Sequence, residues 1–362
     1  MQKIGIIGAG QLGQMLGHAG QPLGIQCVFL DPSDNPPAAS AGPVLQYPFD
    51  SAEGLARLAG LTDVITYEFE NVPVRAIETL SKQTTVHPPA KALEKAQDRL
   101  AEKELFRALG IPLPAFRTVD SVSDLNSAIK VLGLPLVLKT RRLGYDGKGQ
   151  RIVRDDAGIE AAFGELGGDE LIAEQWVPFD REVSAIGARN VRGDTVFYPL
   201  TENVHENGIL SVSRAPVDDD ELSAVGNDLL ARLFAELDYV GVLALELFVT
   251  GDRLLANEFA PRVHNSGHWT IEGANTSQFE NHLRAILDMS LGDTGMRGSA
   301  GMLNLIGTLP ADPRPFQQTP CHLHGYGKRA RPGRKLGHVT VVTKDANDRE
   351  TVLGRLSKCL NN

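Results

Sequence analysis

Cysteine, positive charge and long apolar runs are what this sequence has least of. Cys27, Cys321 and Cys359 are its only cysteines, an odd and widely spaced set. That set excludes a disulfide framework and any Cys-based metal pattern, and predicts reduced thiols. Lys and Arg total 36 against 45 Asp and Glu, a net charge of −9. This balance argues against general binding to nucleic acid or an anionic membrane, and confines any anion site to a local basic cluster. No apolar run reaches spanning length, and MQKIGIIGAG opens directly as a strand and turn, without the h-region of a signal peptide. There is no internal repeat and no low-complexity tract. What remains is a cytoplasmic globular protein whose 362 residues can build two or three domains.

Strands and helices alternate through the first quarter. QKIGII (2–7) is followed by Gly8-x-Gly10-x-x-Gly13 and a helix to Ala19; further strands fall at 25–30 and 64–69, and Pro73 suits the first residue of a helix. This alternation implies a parallel α/β sheet. A helix over 98–109 stops at Gly110-Ile111-Pro112, an expected domain joint. The middle reads differently, with strands at 116–119, 136–140, 151–153 and 171–177 around a helix starting near Ser123. An antiparallel hairpin of 182–188 and 195–200 and a helix over 219–237 come next. Ser277-Gln278-Phe279-Glu280 is a capping box. From Gly292 the chain turns Gly- and Pro-rich with short strands, predicting a small β-rich end.

The segment ELFVTGDRLLANEFAPRVHNSGHW (246–269) carries the densest chemistry. Apolar runs at 242–249 and 254–259 flank Gly251-Asp252 and read as a β-hairpin, yet each holds a carboxylate, Glu246 and Glu258. Desolvating unpaired carboxylates is costly. A Mg2+ ion shared with substrate phosphates removes that cost; the alternative is two solvent-facing glutamates on an amphipathic hairpin. Side chains alternate faces, so a regular two-residue Gly251-Asp252 turn pairs Glu246 with Asn257 and sends Glu258 to the other face. A shared metal therefore requires an odd loop, such as Gly251-Asp252-Arg253, or a bulge.

Four other segments admit two readings each. Gly8-x-Gly10-x-x-Gly13 with Asp31 fits a dinucleotide fingerprint, but the same loop can bind another phosphate or permit close packing. Arg141-Arg142-Leu143-Gly144-Tyr145-Asp146-Gly147-Lys148-Gly149-Gln150, after the strand that ends near Lys139, reads as a phosphate-covering flap or as a mobile surface hairpin. It is no Walker A loop, because Gly149 follows Lys148. Glu174-Gln175-Trp176-Val177 and Glu182 suit an adenosine, or an interdomain linker. The run Tyr326–Lys335, with Pro332-Gly333 at its turn, suits a phosphate ester or a solvated basic turn. His205 reads as a hydrogen-bonding loop residue.

In this order the blocks resemble the ATP-grasp superfamily. Within it, GAGQLGQM, YEFENVP, RRLGYDGKGQ, ENVHENGIL, NEFAPRVHNSGHWT and YGKRARPGRK together resemble the 5-(carboxyamino)imidazole ribonucleotide synthetase family of purine biosynthesis, over essentially the whole chain. The resemblance implies an α/β protein, α+β overall. It places an N-terminal Rossmann-like parallel-sheet domain at 1–97 and an ATP-grasp domain at 98–291, divided into a flap-bearing part (98–172) and a metal-binding part (173–291). A C-terminal β-rich subdomain would occupy 292–362.

The implied activity is an ATP- and Mg2+-dependent ligation, with Mn2+ as a substitute metal, of bicarbonate to 5-aminoimidazole ribonucleotide through carboxyphosphate, by a homodimer. Carried over residue by residue, Arg99, Lys139, Gly147, Gly149 and Gln150 hold the triphosphate. Glu174, Val177, Glu182, His205 and Asn257 complete the ATP site, and Glu246 and Glu258 bind the metal. Tyr145, Asp146, Arg262, His264 and Asn265 face the reacting groups. Lys328, Arg334 and Lys335 take the ribotide phosphate, with Glu68 and Glu70 reaching the ribotide from the first domain. Competing readings are a formate- or amino-acid-using ligase of the same superfamily, an NAD-dependent oxidoreductase built on Gly8–Gly13, and a nucleotide sensor without turnover.

Overall fold

The computed structural model describes residues 2–144, 147–168 and 170–360, which form three sheets. The first is parallel throughout, with Val44–Leu45, Gln26–Leu30, Lys3–Ile7, Val64–Tyr67 and Thr85–Val86 side by side in that order. Ile4 and Ile6 enter one core with Leu12 and Leu16, while Ile7 enters another with Leu55 and Leu58. Burial on both faces explains why these strands read as unbroken apolar runs. The chain switches direction across the sheet between Lys3–Ile7 and Val64–Tyr67. The loops after those two strands, Gly8–Gly10 and Glu68–Glu70, therefore open onto one crevice.

The second sheet is antiparallel and orders Phe116–Val119, Leu171–Gln175, Leu136–Thr140 and Gln150–Val153. Helices Val122–Leu132 and Ile159–Glu165 bury Leu125, Ala128, Ile159 and Ala162 against it. Ser121 caps the first of these by accepting from the Asp124 N–H, 3.1 Å away.

The third sheet has nine strands. Along it run Arg253–Ala260, Gly241–Thr250, Arg181–Arg189, Thr201–Glu206, Ile209–Ala215, Ser299–Ile306, Lys335–Thr343 and Cys321–Gly325, with Thr195–Phe197 paired to Arg181–Arg189. The C-terminal strands thus continue the hairpin's own sheet, joined at Val212 opposite Leu303. The chain then ends in the helix Ala346–Leu360, which the short-strand reading of this region did not include.

Helix Arg99–Ala108 buries Leu105 and Phe106 with Phe259, Leu230 and Ile111 in the core under the hairpin, although the sequence grouped it with the flap. Gly110-Ile111-Pro112 is accordingly packed against the hairpin edge, where Pro112 O accepts from the Ala256 N–H at 2.7 Å. Among the described residues no helix is long and apolar enough to cross a membrane. Cys27 and Cys321 are buried free thiols, and Cys359 is exposed.

Candidate active site

The hairpin resolves its register by a bulge. Thr250 pairs with Arg253, leaving a two-residue Gly251-Asp252 turn, and Leu247 pairs with Ala256. Glu246 then stands opposite Glu258, with Asn257 as the extra residue. Gly251 has φ 60°, as the first loop position of such a tight hairpin demands. Both carboxylates consequently share one face. They differ in exposure: Glu246 is 16% exposed, whereas Glu258 reaches solvent, so only one of them is desolvated as the sequence suggested. Burial, with Glu258 opposite, pushes Glu246 up to about 7.

Asn257 Oδ1 beside them is buried without a hydrogen-bond partner. Two carboxylates and an amide oxygen form an all-oxygen donor set, which fits a hard cation such as Mg2+. No cluster of three His, Cys, Asp or Glu side chains arranged for a metal occurs among the described residues. The hairpin therefore offers part of a coordination shell, with the remainder left to water and phosphate oxygens.

On the nucleotide side, Glu182, His205, Glu246 and Asn257 line one cleft with Asn203 and Phe248. His205 Nδ1 is hydrogen-bonded to Glu182 Oε2. Burial alone would lower His205, but that bond and the nearby Glu246 and Glu182 carboxylates raise it above the ordinary histidine value. Lys139 Nζ donates to Glu174 Oε2 at 2.9 Å, and Lys103 Nζ lies 3.5 Å from the same oxygen. Burial opposes ionisation of Glu174, yet Lys103 and Lys139 together hold it at about 2. The Glu174 carboxylate is thus committed to two lysines; Val177 lies just past the end of its strand.

Arg99 Nη1 donates to Thr140 O at 2.8 Å, at the root of the flap. A Cβ at Gly144 would sit 2.5 Å from that guanidinium. Gly147 and Gly149 take φ 74° and 70°. The backbone at Gly147 lies against the Asn207-Gly208 turn, with its would-be Cβ 3.0 Å from the Gly208 Cα. Asn207 and Gly208 both have positive φ, 53° and 77°, the I′ geometry of a tight hairpin. Gln150 opens the strand after the flap and pairs with Lys139. Two flap cations are bound internally: Arg141 is bidentate to Asp98 at 2.6 and 3.1 Å, and Arg142 is 3.2 Å from it. Tyr145 and Asp146 lie outside the described residues.

The crevice of the first sheet meets the loop after the hairpin. Glu68 Oε1 accepts the Gly10 N–H at 2.7 Å, and Asp31 Oδ2 accepts the Ala9 N–H at 2.9 Å. A Cβ at Gly8 would lie 2.6 Å from Glu68 Oε1. The protein's own carboxylates therefore occupy the place a dinucleotide phosphate would need, and Asp31 closes the loop instead of reaching a ribose. Burial raises Glu68 despite the Gly10 N–H, Arg262 and Lys328 nearby.

Arg262 Nη2 pairs with Glu70 Oε2 at 2.5 Å, and its Nη1 donates to Val263 O at 3.0 Å. Lys328 Nζ is hydrogen-bonded to Gln11 Oε1, which brings the C-terminal basic run onto the same crevice. Arg334 donates to Arg329 O at 3.1 Å on its own loop, and with Arg331 and Lys335 it lies close enough to Lys328 to lower that ammonium's pKa. Lys335 begins the following strand.

His264 joins the two halves. Its Nε2 is 3.2 Å from Glu246 Oε1 and its Nδ1 is 2.8 Å from Ser266 Oγ. The Ser266 N–H also points to Nδ1, at 3.3 Å. With Nδ1 accepting, the ring hydrogen stands on Nε2, the nitrogen that faces Glu246. Burial and nearby Arg262 hold the ring well below its ordinary value, hence neutral. Gln278 fixes the loop, accepting from the His264 N–H at 2.9 Å and donating to His264 O at 2.6 Å. Asn265 exchanges amide hydrogen bonds with Asn304 at 2.6 and 3.2 Å.

Lys103, Glu102, Asp98, Gln11 and Gln278 went unnoticed in the sequence. Asp98 alone had a signal, as the N-cap of helix Arg99–Ala108, where its Oδ1 accepts from Leu100 and Ala101.

A ribonucleotide synthetase preATP-grasp domain matches residues 1–97, an ATP-grasp domain 104–279, and a phosphoribosylaminoimidazole carboxylase C-terminal domain 300–351. The N5-carboxyaminoimidazole ribonucleotide synthase of Pseudomonas aeruginosa is 49% identical over 356 residues, covering 98% of both chains. The crystal structure of N5-carboxyaminoimidazole ribonucleotide synthetase from Thermus thermophilus matches with TM-score 0.95, 49% identity and 99% coverage of each chain. That of the Aspergillus clavatus N5-carboxyaminoimidazole synthase, in complex with ADP and 5-aminoimidazole ribonucleotide, matches with TM-score 0.91 and 32% identity, covering 99% of this chain and 98% of that one. The chain belongs to the N5-carboxyaminoimidazole ribonucleotide synthase family of ATP-grasp enzymes.

Proposed function

We propose, from that membership, that the chain is an ATP-dependent carbon–nitrogen ligase. It carboxylates the exocyclic amine of 5-aminoimidazole ribonucleotide with bicarbonate, in purine biosynthesis. The observation that carries the residue assignment is the bulge that sets Glu246 opposite Glu258. It supports the reading of these two carboxylates as a metal pair, on a hairpin whose second strand leads into Arg262 and His264.

A bicarbonate oxygen attacks the γ-phosphorus of ATP as the bond to the bridging oxygen breaks, releasing ADP and leaving carboxyphosphate. The ribotide amine then attacks the carboxyl carbon, phosphate departs with the C–O bond electrons, and the amine loses a proton. Phosphoryl transfer needs positioning and charge neutralisation more than covalent help. Lys139 and Arg99 serve the triphosphate, and the flap backbone at Gly147, Gly149 and Gln150 covers it. Glu174, Val177, Glu182, His205 and Asn257 frame the remainder of the nucleotide. Glu246 and Glu258 would hold Mg2+ or Mn2+, which when bound neutralises phosphate charge. A neutral His264, with Nδ1 accepting the Ser266 N–H, carries its hydrogen on Nε2 beside Glu246 and has no free lone pair there to take a proton.

Arg262 and Asn265 face bicarbonate and the amine, a role that the family resemblance also assigns to Tyr145 and Asp146. Lys328, Arg334 and Lys335 take the ribotide phosphate, and Glu68 and Glu70 its sugar side. Covering carboxyphosphate keeps water from it. A homodimer working in the cytoplasm completes this reading, and sedimentation velocity tests the dimer. The decisive experiment is ADP release measured with each substrate omitted in turn. Release should require both bicarbonate and the ribotide; formate replacing bicarbonate, or release independent of the ribotide, overturns the assignment.

A further inference from the structure

The bulge is held from outside the sheet. Arg253–Ala260 is an edge strand, and inserting Asn257 takes that residue out of the ladder with Gly241–Thr250. Two adjacent residues of helix Arg99–Ala108 meet the backbone groups on either side of Glu258. Lys103 Nζ donates to Asn257 O at 2.5 Å, and Glu102 Oε1 accepts from the Phe259 N–H at 2.7 Å. Neither side chain is on the surface: Glu102 is 2% and Lys103 1% exposed. Lys103 also reaches Glu174 Oε2 at 3.5 Å, the oxygen that binds Lys139. A side-chain pair thus substitutes for the missing strand partner. Without it, the regular hairpin register pairs Glu246 with Asn257 and turns Glu258 to the opposite face.

We propose that Glu102 and Lys103 are positioning residues, a two-pronged clamp that holds the bulge and so keeps Glu246 and Glu258 on one face. The inference rests on reading those glutamates as the metal pair, and its test separates the two ideas.

First, hydrogen exchange of the metal-free wild-type protein reads the clamp directly. The Phe259 amide should be protected to the level of central-strand amides; exchange at the rate of an open edge amide overturns the clamp whatever the metal does. Second, Mn2+ binding to the ADP complex is followed by electron paramagnetic resonance in Glu102→Met, Lys103→Met and Glu102→Gln. Both methionine variants should weaken Mn2+ ten- to a hundredfold, and in Glu102→Met, which leaves the Lys103–Glu174 contact in place, ADP affinity without metal should stay within threefold. Glu102→Gln, which keeps an acceptor for Phe259, should stay within threefold of wild type for both. Wild-type Mn2+ affinity in both methionine variants, or equal loss of Mn2+ and ADP in Glu102→Met, overturns the clamp. A wild-type protein that binds no Mn2+ overturns the metal reading and leaves the clamp to the exchange measurement. Should a methionine variant not fold, Glu102→Gln and the Phe259 amide still decide.

Discussion

The loop Gly8–Gly13 and the flap 141–150 carry three glycines each, and the glycines make room for opposite kinds of group. At Gly8 the space is filled by the Glu68 carboxylate, 2.6 Å from a would-be Cβ. At Gly144 it is filled by the Arg99 guanidinium, 2.5 Å away. The first loop closes on acids, with Ala9 and Gly10 N–H groups already taken by Asp31 and Glu68. The second closes on a cation that itself remains beside Lys139's strand, donating to Thr140 O. A glycine pattern therefore reports a close approach, while the group that approaches decides whether a phosphate is welcome.

The sharpest way to break this contrast is to remove one charge from each side. Lys139→Met should lower turnover about a thousandfold, the scale of losing a preorganised charge donor, and Glu258→Gln about a hundredfold. Asp31→Asn at the first loop should leave the KM for ATP within about threefold. Steady-state ADP release checks all three; an ATP KM that rises tenfold in Asp31→Asn would return the nucleotide to the first loop.

Glycine replacement separates the loops next. Gly8 has φ 98° and Gly149 φ 70°, so alanine is strained at either, by about 1–3 kcal/mol. In Gly8→Ala the added methyl also displaces Glu68 from a buried position. Thermal unfolding should show a loss of about 2 kcal/mol, and the ribotide KM should rise about tenfold with ATP unaffected. In Gly149→Ala the methyl meets Thr140 Oγ1 at 2.6 Å, in a flap whose described residues are half-buried or exposed. Turnover should fall about tenfold, with a melting loss no larger than that of Gly8→Ala and the ribotide KM unaffected. Reversal of the two patterns would exchange the roles assigned to the loops.

How far the sequence shows all this depends on the range of each interaction. The parity of strand alternation forced a choice between an odd loop and a bulge, and the chain takes the bulge at Asn257. Strand–turn–helix spacing likewise exposed the parallel sheet, because its cause is local. Glu102 and Lys103 were invisible: in RLAEKELFRA they read as the polar face of an amphipathic helix. Their partners Phe259 and Asn257 lie 157 and 154 residues away. Asp31 misled for the same reason, since its distance from Gly8 fits a ribose acid and only the fold shows it bonded to Ala9. The flap's Arg141 and Arg142 looked available until Asp98, 43 residues upstream of Arg141, took them.

The smallest expected effect probes the acidic crevice from its cationic wall. Lys328 is hydrogen-bonded to Gln11 at the start of the helix after the first loop. Burial lowers it to about 8; Glu68 opposes the shift, and Arg334, Lys335 and Arg331 reinforce it. The sign follows from which form binds phosphate. Below pH 8 the ammonium is charged and its attraction for the ribotide phosphate is present; above pH 8 the free protein loses that charge and the attraction with it. Ribotide KM should therefore be flat from pH 6.5 to 7.5 and rise about fivefold between pH 8 and 9, as the charged fraction falls from a half to about a tenth. Lys328→Arg, charged throughout, should flatten the rise. A rise that persists in Lys328→Arg belongs to Glu68 or to the ribotide itself. A rise in the ATP KM instead would put Lys328 with the flap and dissolve the division between an acid-lined loop for the ribotide and a cation-lined loop for the nucleotide.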